Sequence, residues 1–288
     1  MKQLTSIIRL LFSALFLCLF TSCNFLTGGY GWDEFFSRSD PVSSRAESIT
    51  DLSDTPAASC TSYTVIVITD VHFGGDGTRP DDTFLAWVDS LSPQPKFCIC
   101  LGDIAEHGYE SEYKEYVAFT DKLRSRSIPV YTVTGNHDLY NSGWQYWSAM
   151  VYPETSFYRL KTSDFSWYFL DSGSGSLGTD QYDALKEAME ADSNSKVVML
   201  HYPLYADGTF YACLQNTYER DKLITLFAKQ SVQLVLDGHT HAYHTYDFGS
   251  FYEFNVPGYL EKHQWALLTV KEPADGTAPS VNAELIVK

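Results

Sequence analysis

Five short apolar runs of this 288-residue chain each end on side chains able to bind a metal ion or move a proton. "TVIVITD" (64–70) leads into Asp70 and His72, and "FCICLGD" (97–103) stops on Asp103. "PVYTVTGNHD" (129–138) delivers Asn136, His137 and Asp138, "KVVMLHYP" (196–203) carries His201, and "VQLVLDGHT" (232–240) runs through His239 to His241. Five of the eight histidines stand at these ends, where scattered core histidines would not collect. Near-continuous β-branched and apolar runs suit strands buried on both faces. Ligands of α/β sheets gather at the carboxyl ends of strands, so groups distant in sequence can share one centre.

Taken singly, each signal has a plainer reading. Asp-x-His is commonly a turn or a cap, Gly-Asp after a strand is ordinary turn chemistry, and His201 before Tyr-Pro suits a hydrogen-bonded core residue. Gly-His-x-His says more, because residues two apart in extended chain face one side. In "GNHD" three polar groups must share one strand end. Jointly, and in this order, the metal reading prevails.

The elements that must position these groups are also legible. Helical spacing occupies 81–91, 111–124, 180–191 and 217–229, and 156–171 reads as a hairpin with a polar turn at 162–164. After 241 come four further strand-like segments, expected to be antiparallel. Alternating strands and helices before a strand-rich tail predict an α/β fold, layered as α/β or α/β/β/α with mixed sheets.

In order, "DVH", "GD", "GNHD", the single His201 and "GHTH" resemble the motif set of the calcineurin-like metallophosphoesterases, over roughly residues 63 to 270. The resemblance implies a single-domain α/β/β/α sandwich with a dinuclear metal centre at the strand ends. By the same resemblance Asp70, His72 and His241 hold one ion, Asn136, His201 and His239 hold the other, and Asp103 bridges them. Imidazole and carboxylate donors suit two transition-metal ions (Fe, Mn, Zn or Co) better than Ca or Mg, which prefer oxygen shells. Two ions about 3.5–4 Å apart need a bridging anion such as Asp103. Two divalent ions, two carboxylates and one hydroxide leave about one unit of positive charge, so even an acidic chain can bind a phosphate ester.

The implied reaction is in-line attack on phosphorus by a metal-bound hydroxide. His137 protonates the leaving group, and Asp138 orients its imidazole or caps the next segment. One departure stands in "GDIAEHG" (102–108), where the phosphatase-type pattern carries Arg before the last glycine and this chain carries His107. Arg grips phosphate bidentately with a permanent charge, which His lacks. His107 is therefore a candidate substrate contact or a solvated loop residue, and a diester is as plausible as a phosphoprotein. Tyr202 and Tyr205 follow His201 closely enough to line the site, although packing is the favoured role for such aromatics. His244 and His263 carry no motif support.

A formal net charge of −16 argues against docking on a nucleic-acid duplex. At the N-terminus, Lys2 and Arg9 precede an apolar run of eleven (10–20), too short for a stable membrane span but suited to a signal peptide. "FTSC" then resembles a bacterial lipoprotein signal, with Cys23 as the lipid-bearing residue. The implied organisation is a signal peptide over 1–22, a largely irregular tether over 23–62 and the catalytic domain over 63–288. The implied location is extracytoplasmic, lipid-anchored to a bacterial membrane, acting on a phosphate-ester small molecule or a phosphorylated substrate. Cys98 and Cys100 are expected in the core, and Cys60 with Cys213 can pair in an oxidising compartment. Two rivals remain: a non-catalytic metal-containing scaffold that binds a ligand or partner, and a metal hydrolase acting on a non-phosphate ester.

Overall fold

Alternation of side chains along each strand builds three apolar layers from two sheets. The computed structural model describes residues 41–288 apart from 55, 58 and 78. Its strands are β1 (Thr50–Asp51), β2 (Ser62–Ile68), β3 (Phe97–Cys100), β4 (Val130–Thr132), β5 (Tyr158–Lys161), β6 (Phe165–Phe169), β7 (Ser195–Met199), β8 (Val232–Asp237), β9 (His244–Asp247), β10 (Tyr252–Asn255), β11 (Gln264–Lys271) and β12 (Ser280–Val287). The helices are α1 (Val42–Arg45), α2 (Asp82–Ser90), α3 (Glu110–Arg124), α4 (Trp144–Met150), α5 (Gly178–Glu190), α6 (Thr217–Lys229) and α7 (Tyr259–Lys262). One sheet runs β1-β5-β6-β7-β8-β10-β9 and the other β12-β11-β2-β3-β4.

Val65 and Val67 of β2, Phe97 and Ile99 of β3, Trp167 of β6, Met199 of β7 and Leu236 of β8 meet between the sheets. The opposite faces turn outward to helices. Ile66, Ile68, Cys98 and Cys100 pack with Phe84 of α2 and with Tyr113, Tyr116 and Leu123 of α3. Tyr168, Val198 and Val235 pack with Leu185 of α5 and Phe227 of α6. Strands buried on both faces explain why they read as continuous apolar runs rather than alternating ones. Each fully buried aliphatic or aromatic side chain contributes about 1.5–3 kcal/mol of transfer free energy. The four-layer sandwich of mixed sheets is the architecture expected from the sequence.

Caps end the helices where polar residues allow it: the Asp81 carboxylate accepts from Thr83 and Phe84 N–H at α2, and the Asn216 side chain accepts from Glu219 N–H at α6. β2, β3 and β4 are mutually parallel, as are β6, β7, β8 and β10. The tail departs from expectation here, since β10 joins β8 in parallel while β9, β11 and β12 pair antiparallel to their neighbours.

The expected tether is corrected from residue 42 onward. β1 adds to the edge of the larger sheet beside β5, and the guanidinium of Arg45 is buried against the Asp171 carboxylate at 2.8 Å. A charge pair of this kind needs the folded chain around it, which a reading of local composition does not include. Cys23 lies outside the described residues. Cys60, Cys98, Cys100 and Cys213 are free thiols. Among the described residues no helix is long and apolar enough to cross a membrane.

Candidate metal centre

Past its last paired residues, β2 stays in register with the chain leaving β3. Leu101 N–H donates to Ile68 O, Asp70 N–H to Gly102 O, His72 N–H to Asp103 O and Phe73 N–H to Ile104 O. This continued ladder sets Asp70 and His72 beside Asp103. The turn after β4 comes so close that a Cβ on Gly135 would lie 2.2 Å from Asp103 N, and one on Gly102 would lie 2.7 Å from Gly135 N. Only glycine permits that approach. From the other sheet, Gly238 N–H donates to His201 O, bringing the end of β8 against the end of β7.

Asp70, His72, Asp103, His239 and His241 all adopt left-handed backbone, with φ between 43° and 67°. Such conformations are uncommon for residues other than glycine and cluster where function demands them. They turn the side chains of two sheets toward one point. All seven expected ligands meet there.

The distances define two adjoining triads. Nε2 of His72 and Nε2 of His241 are 3.3 Å apart, and they lie 3.9 and 3.2 Å from Asp70 Oδ1. Asp103, His201 and His239 form the second set, with His201 Nε2 3.3 Å from Asp103 Oδ2 and 3.1 Å from Asn136 Oδ1. Asp103 Oδ2 is also 3.9 Å from His72 Nε2, so one oxygen faces both sets. Each carboxylate commits its other oxygen to the protein. Asp70 Oδ2 accepts from Thr69 Oγ1 and His239 N–H, and Asp103 Oδ1 accepts from His137 N–H. Asp70 Oδ1 is buried and accepts no hydrogen bond. A buried carboxylate oxygen in that state, facing two imidazole nitrogens, fits a cation.

The imidazoles are held from behind. His201 Nδ1 lies 2.8 Å from Leu101 O, His72 Nδ1 lies 2.8 Å from Glu106 Oε2, and His241 Nδ1 lies 3.4 Å from Glu261 Oε1. The acceptor at His201 Nδ1 places the proton there and leaves its Nε2 lone pair for a metal, and carboxylates close behind His72 and His241 are partners of the kind that recur around metal-ligating histidines. Glu106 and Glu261 escaped the sequence reading. Glu106 sits inside "GDIAEHG", yet nothing in its spacing shows that its carboxylate reaches His72.

Without cations the charges settle among themselves. Burial opposes ionisation of His201 and His241, but Asp103 and Asp70 beside them outweigh it and lift the two imidazoles to about 9 and about 10. Burial also opposes ionisation of the carboxylates, and the same partners hold Asp70 and Asp103 below the usual range. Burial and the charge of His201 depress His239 to about 3. Burial likewise lowers His137.

His137 stands half-buried beside the centre, its ring edge-on to His72 at 4.6 Å between centroids. One of its nitrogens lies within 4.8 Å of ligand atoms of His72 and Asp103. Its Nδ1 lies 2.8 Å from Glu106 O, and that carbonyl is the orienting partner expected of Asp138. Asp138 does different work. Oδ1 accepts from Ile104 and Ala105 N–H and Oδ2 from Gly135 N–H, lacing the β3 and β4 turns together. Nor does it cap a helix. Burial and the charge of Asp103 push its carboxyl up to about 7, against three donors that favour the anion.

Two candidate substrate contacts have partners within the protein. His107 places Nδ1 3.1 Å from Glu112 Oε1 and stacks on Tyr109, and Glu112 also accepts the His107 and Tyr109 N–H groups. Tyr202 is buried, with its ring 3.9 Å from that of His239, where it packs against a ligand rather than facing open space. The open space lies elsewhere, in a cleft of about 410 Å³ bounded by Thr209, Tyr211, Ala212, His239, Thr240, Ala242 and His244. His244, which lacks motif support, therefore reaches the site's margin.

Comparison with known proteins agrees with this geometry. Residues 63–243 match the model of the calcineurin-like phosphoesterases. A transmembrane protein with metallophosphoesterase domain from Bos taurus is 27% identical, over 70% of this chain and 44% of its own length. A probable glycerophosphodiester phosphodiesterase of Arcobacter nitrofigilis is 26% identical, over 54% and 59% respectively. This chain thus spans about half the length of these relatives. The crystal structure of a dimetal phosphatase from Danio rerio superposes with a TM-score of 0.57 at 14% identity, covering 76% of this chain and 98% of that one.

Proposed function

Because the chain belongs to the calcineurin-like phosphoesterase family, whose members are metal-dependent, we propose that it hydrolyses a phosphate ester at a centre of two transition-metal ions. The observation that carries this reading is Asp103 Oδ2, a single buried oxygen turned toward both ligand triads. Asp70, His72 and His241 would hold one ion and Asn136, His201 and His239 the other, with Asp103 placed between the two sets. Metal ions held there would supply Lewis acidity toward water and toward the phosphoryl oxygens.

The remaining work falls to the chain. Leu101 O fixes the tautomer and orientation of His201, and the carboxylates of Glu106 and Glu261 stand 2.8 and 3.4 Å behind His72 and His241. Glu106 O occupies Nδ1 of His137, so proton delivery to the leaving oxygen falls to Nε2. The Asp103 carboxylate holds the backbone of His137 at 2.8 Å and so couples that acid to the ligand set. The relative described as a glycerophosphodiester phosphodiesterase supports a diester substrate. So does His107, which offers no permanent charge for a dianionic monoester and is occupied by Glu112. The basic start, the short apolar run and Cys23 support lipid anchoring on the extracytoplasmic side of a bacterial membrane.

The test is elemental analysis of purified protein together with turnover of methyl 4-nitrophenyl phosphate and 4-nitrophenyl phosphate, with Mn, Fe, Zn or Co supplied and removed. Two equivalents of metal and metal-dependent release of nitrophenolate are expected, faster from the diester. Full occupancy without turnover of either ester favours the scaffold reading, and failure to bind any transition metal rejects the centre. Partition of the full-length chain into detergent, lost on Cys23→Ala, tests the anchor.

A further inference from the structure

The cleft beside the centre has a composition that the hydrolytic chemistry alone does not require. Its lining combines Thr209, Thr240 and Tyr211 with His244, and among the described residues that line it there is no Lys or Arg. A negative charge stands at its outer margin, where Asp207 Oδ2 lies 4.0 Å from His244 Nδ1 with an exposed side chain. His239 forms part of the same wall, so the cleft adjoins the candidate metal centre.

The wall that carries Tyr211 is built rather than loose at its base. Buried Glu253 of β10 accepts the Leu204 and Tyr205 N–H groups, and Leu214 N–H closes on Pro203 O. The Tyr205 ring lies 4.0 Å from that of Tyr246. Ala206, Asp207 and Gly208 are all left-handed, with φ of 45°, 50° and 79°, which turns the chain sharply before Thr209. Tyr211 then projects with 90% of its surface exposed at the cleft margin. A large exposed aromatic beside a pocket lined by hydroxyls has the makings of a stacking face for a sugar or a base.

We propose that this cleft is the subsite for one arm of a phosphodiester, a hydroxylated and uncharged alcohol that stacks on Tyr211 and hydrogen-bonds to Thr209 and His244. The assignment rests on the phosphodiesterase reading and adds to it a rule of selection. A second phosphate on that arm meets Asp207 and no compensating cation, so the site discriminates against it.

Three esters with one leaving group test this: methyl 4-nitrophenyl phosphate, thymidine 5′-(4-nitrophenyl phosphate), and the latter bearing a 3′-phosphate. For the metal-loaded protein the thymidine ester should exceed the methyl ester at least 10-fold in kcat/KM, and the added 3′-phosphate should lower it at least 5-fold. Tyr211→Ala and His244→Ala should each remove at least 5-fold of the thymidine advantage, chiefly through KM, and leave the methyl ester within twofold. Asp207→Asn should recover part of the 3′-phosphate penalty. Equal rates for the methyl and thymidine esters, indifference to Tyr211→Ala, or a gain from the 3′-phosphate would overturn the subsite while leaving the hydrolase reading intact. No turnover of any of the three esters at full metal occupancy would sink both.

Discussion

The two sides of the candidate metal centre, its two walls, are made differently. On the β2–β3–β4 side nearly every polar group is tied down: Asp138 takes three backbone N–H groups, Glu112 takes two and an imidazole, and Glu106 reaches His72 while its carbonyl reaches His137. Asp70, Asp103 and Asp138 there are buried. On the opposite side, residues 206–212 and 242–246 present Asp207, Phe210, Tyr211, Tyr243 and Tyr246, each exposed. Preorganisation at the reacting atoms is what metal and acid–base chemistry needs, because a misplaced ligand weakens the whole set. Exposed loops on a fixed scaffold are where recognition can vary at little cost to the fold. The difference assigns chemistry to the first wall and selection to the second.

Three measurements sharpen or break that division. The largest effect is expected on the chemical wall itself: His137→Ala should keep its metal and slow the reaction by about 10²–10⁴-fold, less for esters with good leaving groups. Loss of metal in that variant would make His137 a ligand instead of the acid. Glu106→Gln is expected next. Removing the charged acceptor behind His72 should weaken metal affinity by about 10–100-fold, measured by chelator competition, with thymidine and methyl esters affected alike. An effect confined to one ester would mean that the walls are not separate.

The smallest effect is a pH profile of the metal-free protein. His201 and His241 are lifted from 6.5 to about 9 and about 10, so their stabilisation is complete below pH 6.5 and is lost as pH rises toward 10. His239, depressed from 6.5 to about 3, acts in the other direction: its contribution is lost as pH falls from 6.5 toward 3. Asp70 and Asp103, held below 3.8, add to that acid-side loss. Asp138, lifted from 3.8 to about 7, loses its contribution as pH rises over that range and opposes His239. Urea unfolding of the metal-free chain should therefore show its clear loss of stability on the alkaline side, from about pH 7 toward 10. Metal loading should flatten the alkaline limb, because cations replace the protons on His201 and His241. A profile unchanged by metal would show that these imidazoles do not face the ions.

Much of this was legible beforehand. Period and apolar content located α2, α3, α5 and α6 to within two residues, because each carries enough buried side chains on one face to mark itself. The ligands were legible for a related reason. A polar residue closing an apolar strand has few structural uses, and the chain does this five times. What stayed hidden were contacts closed by carboxylates across the fold. Asp138 reads as a helper of its neighbour His137, yet its oxygens lie on backbone 33 and 34 residues away. Glu261 reaches His241, and Arg45 reaches Asp171 across 126 residues. Spacing carries no trace of such reach.

Sequence by itself therefore singled out the candidate donors, the strands that end on them and the layered class of the fold, since these follow from local pattern and side-chain chemistry. Tertiary structure alone decided which oxygen of Asp70 and Asp103 faces the centre, that Nδ1 of His201 and of His137 meets a backbone carbonyl, and that His244 and Tyr211 border the same cleft. The physical reason is that a ligand's orientation is set by its partners in space. Here those partners come from the other sheet and from loops that approach only once both sheets have closed on one core.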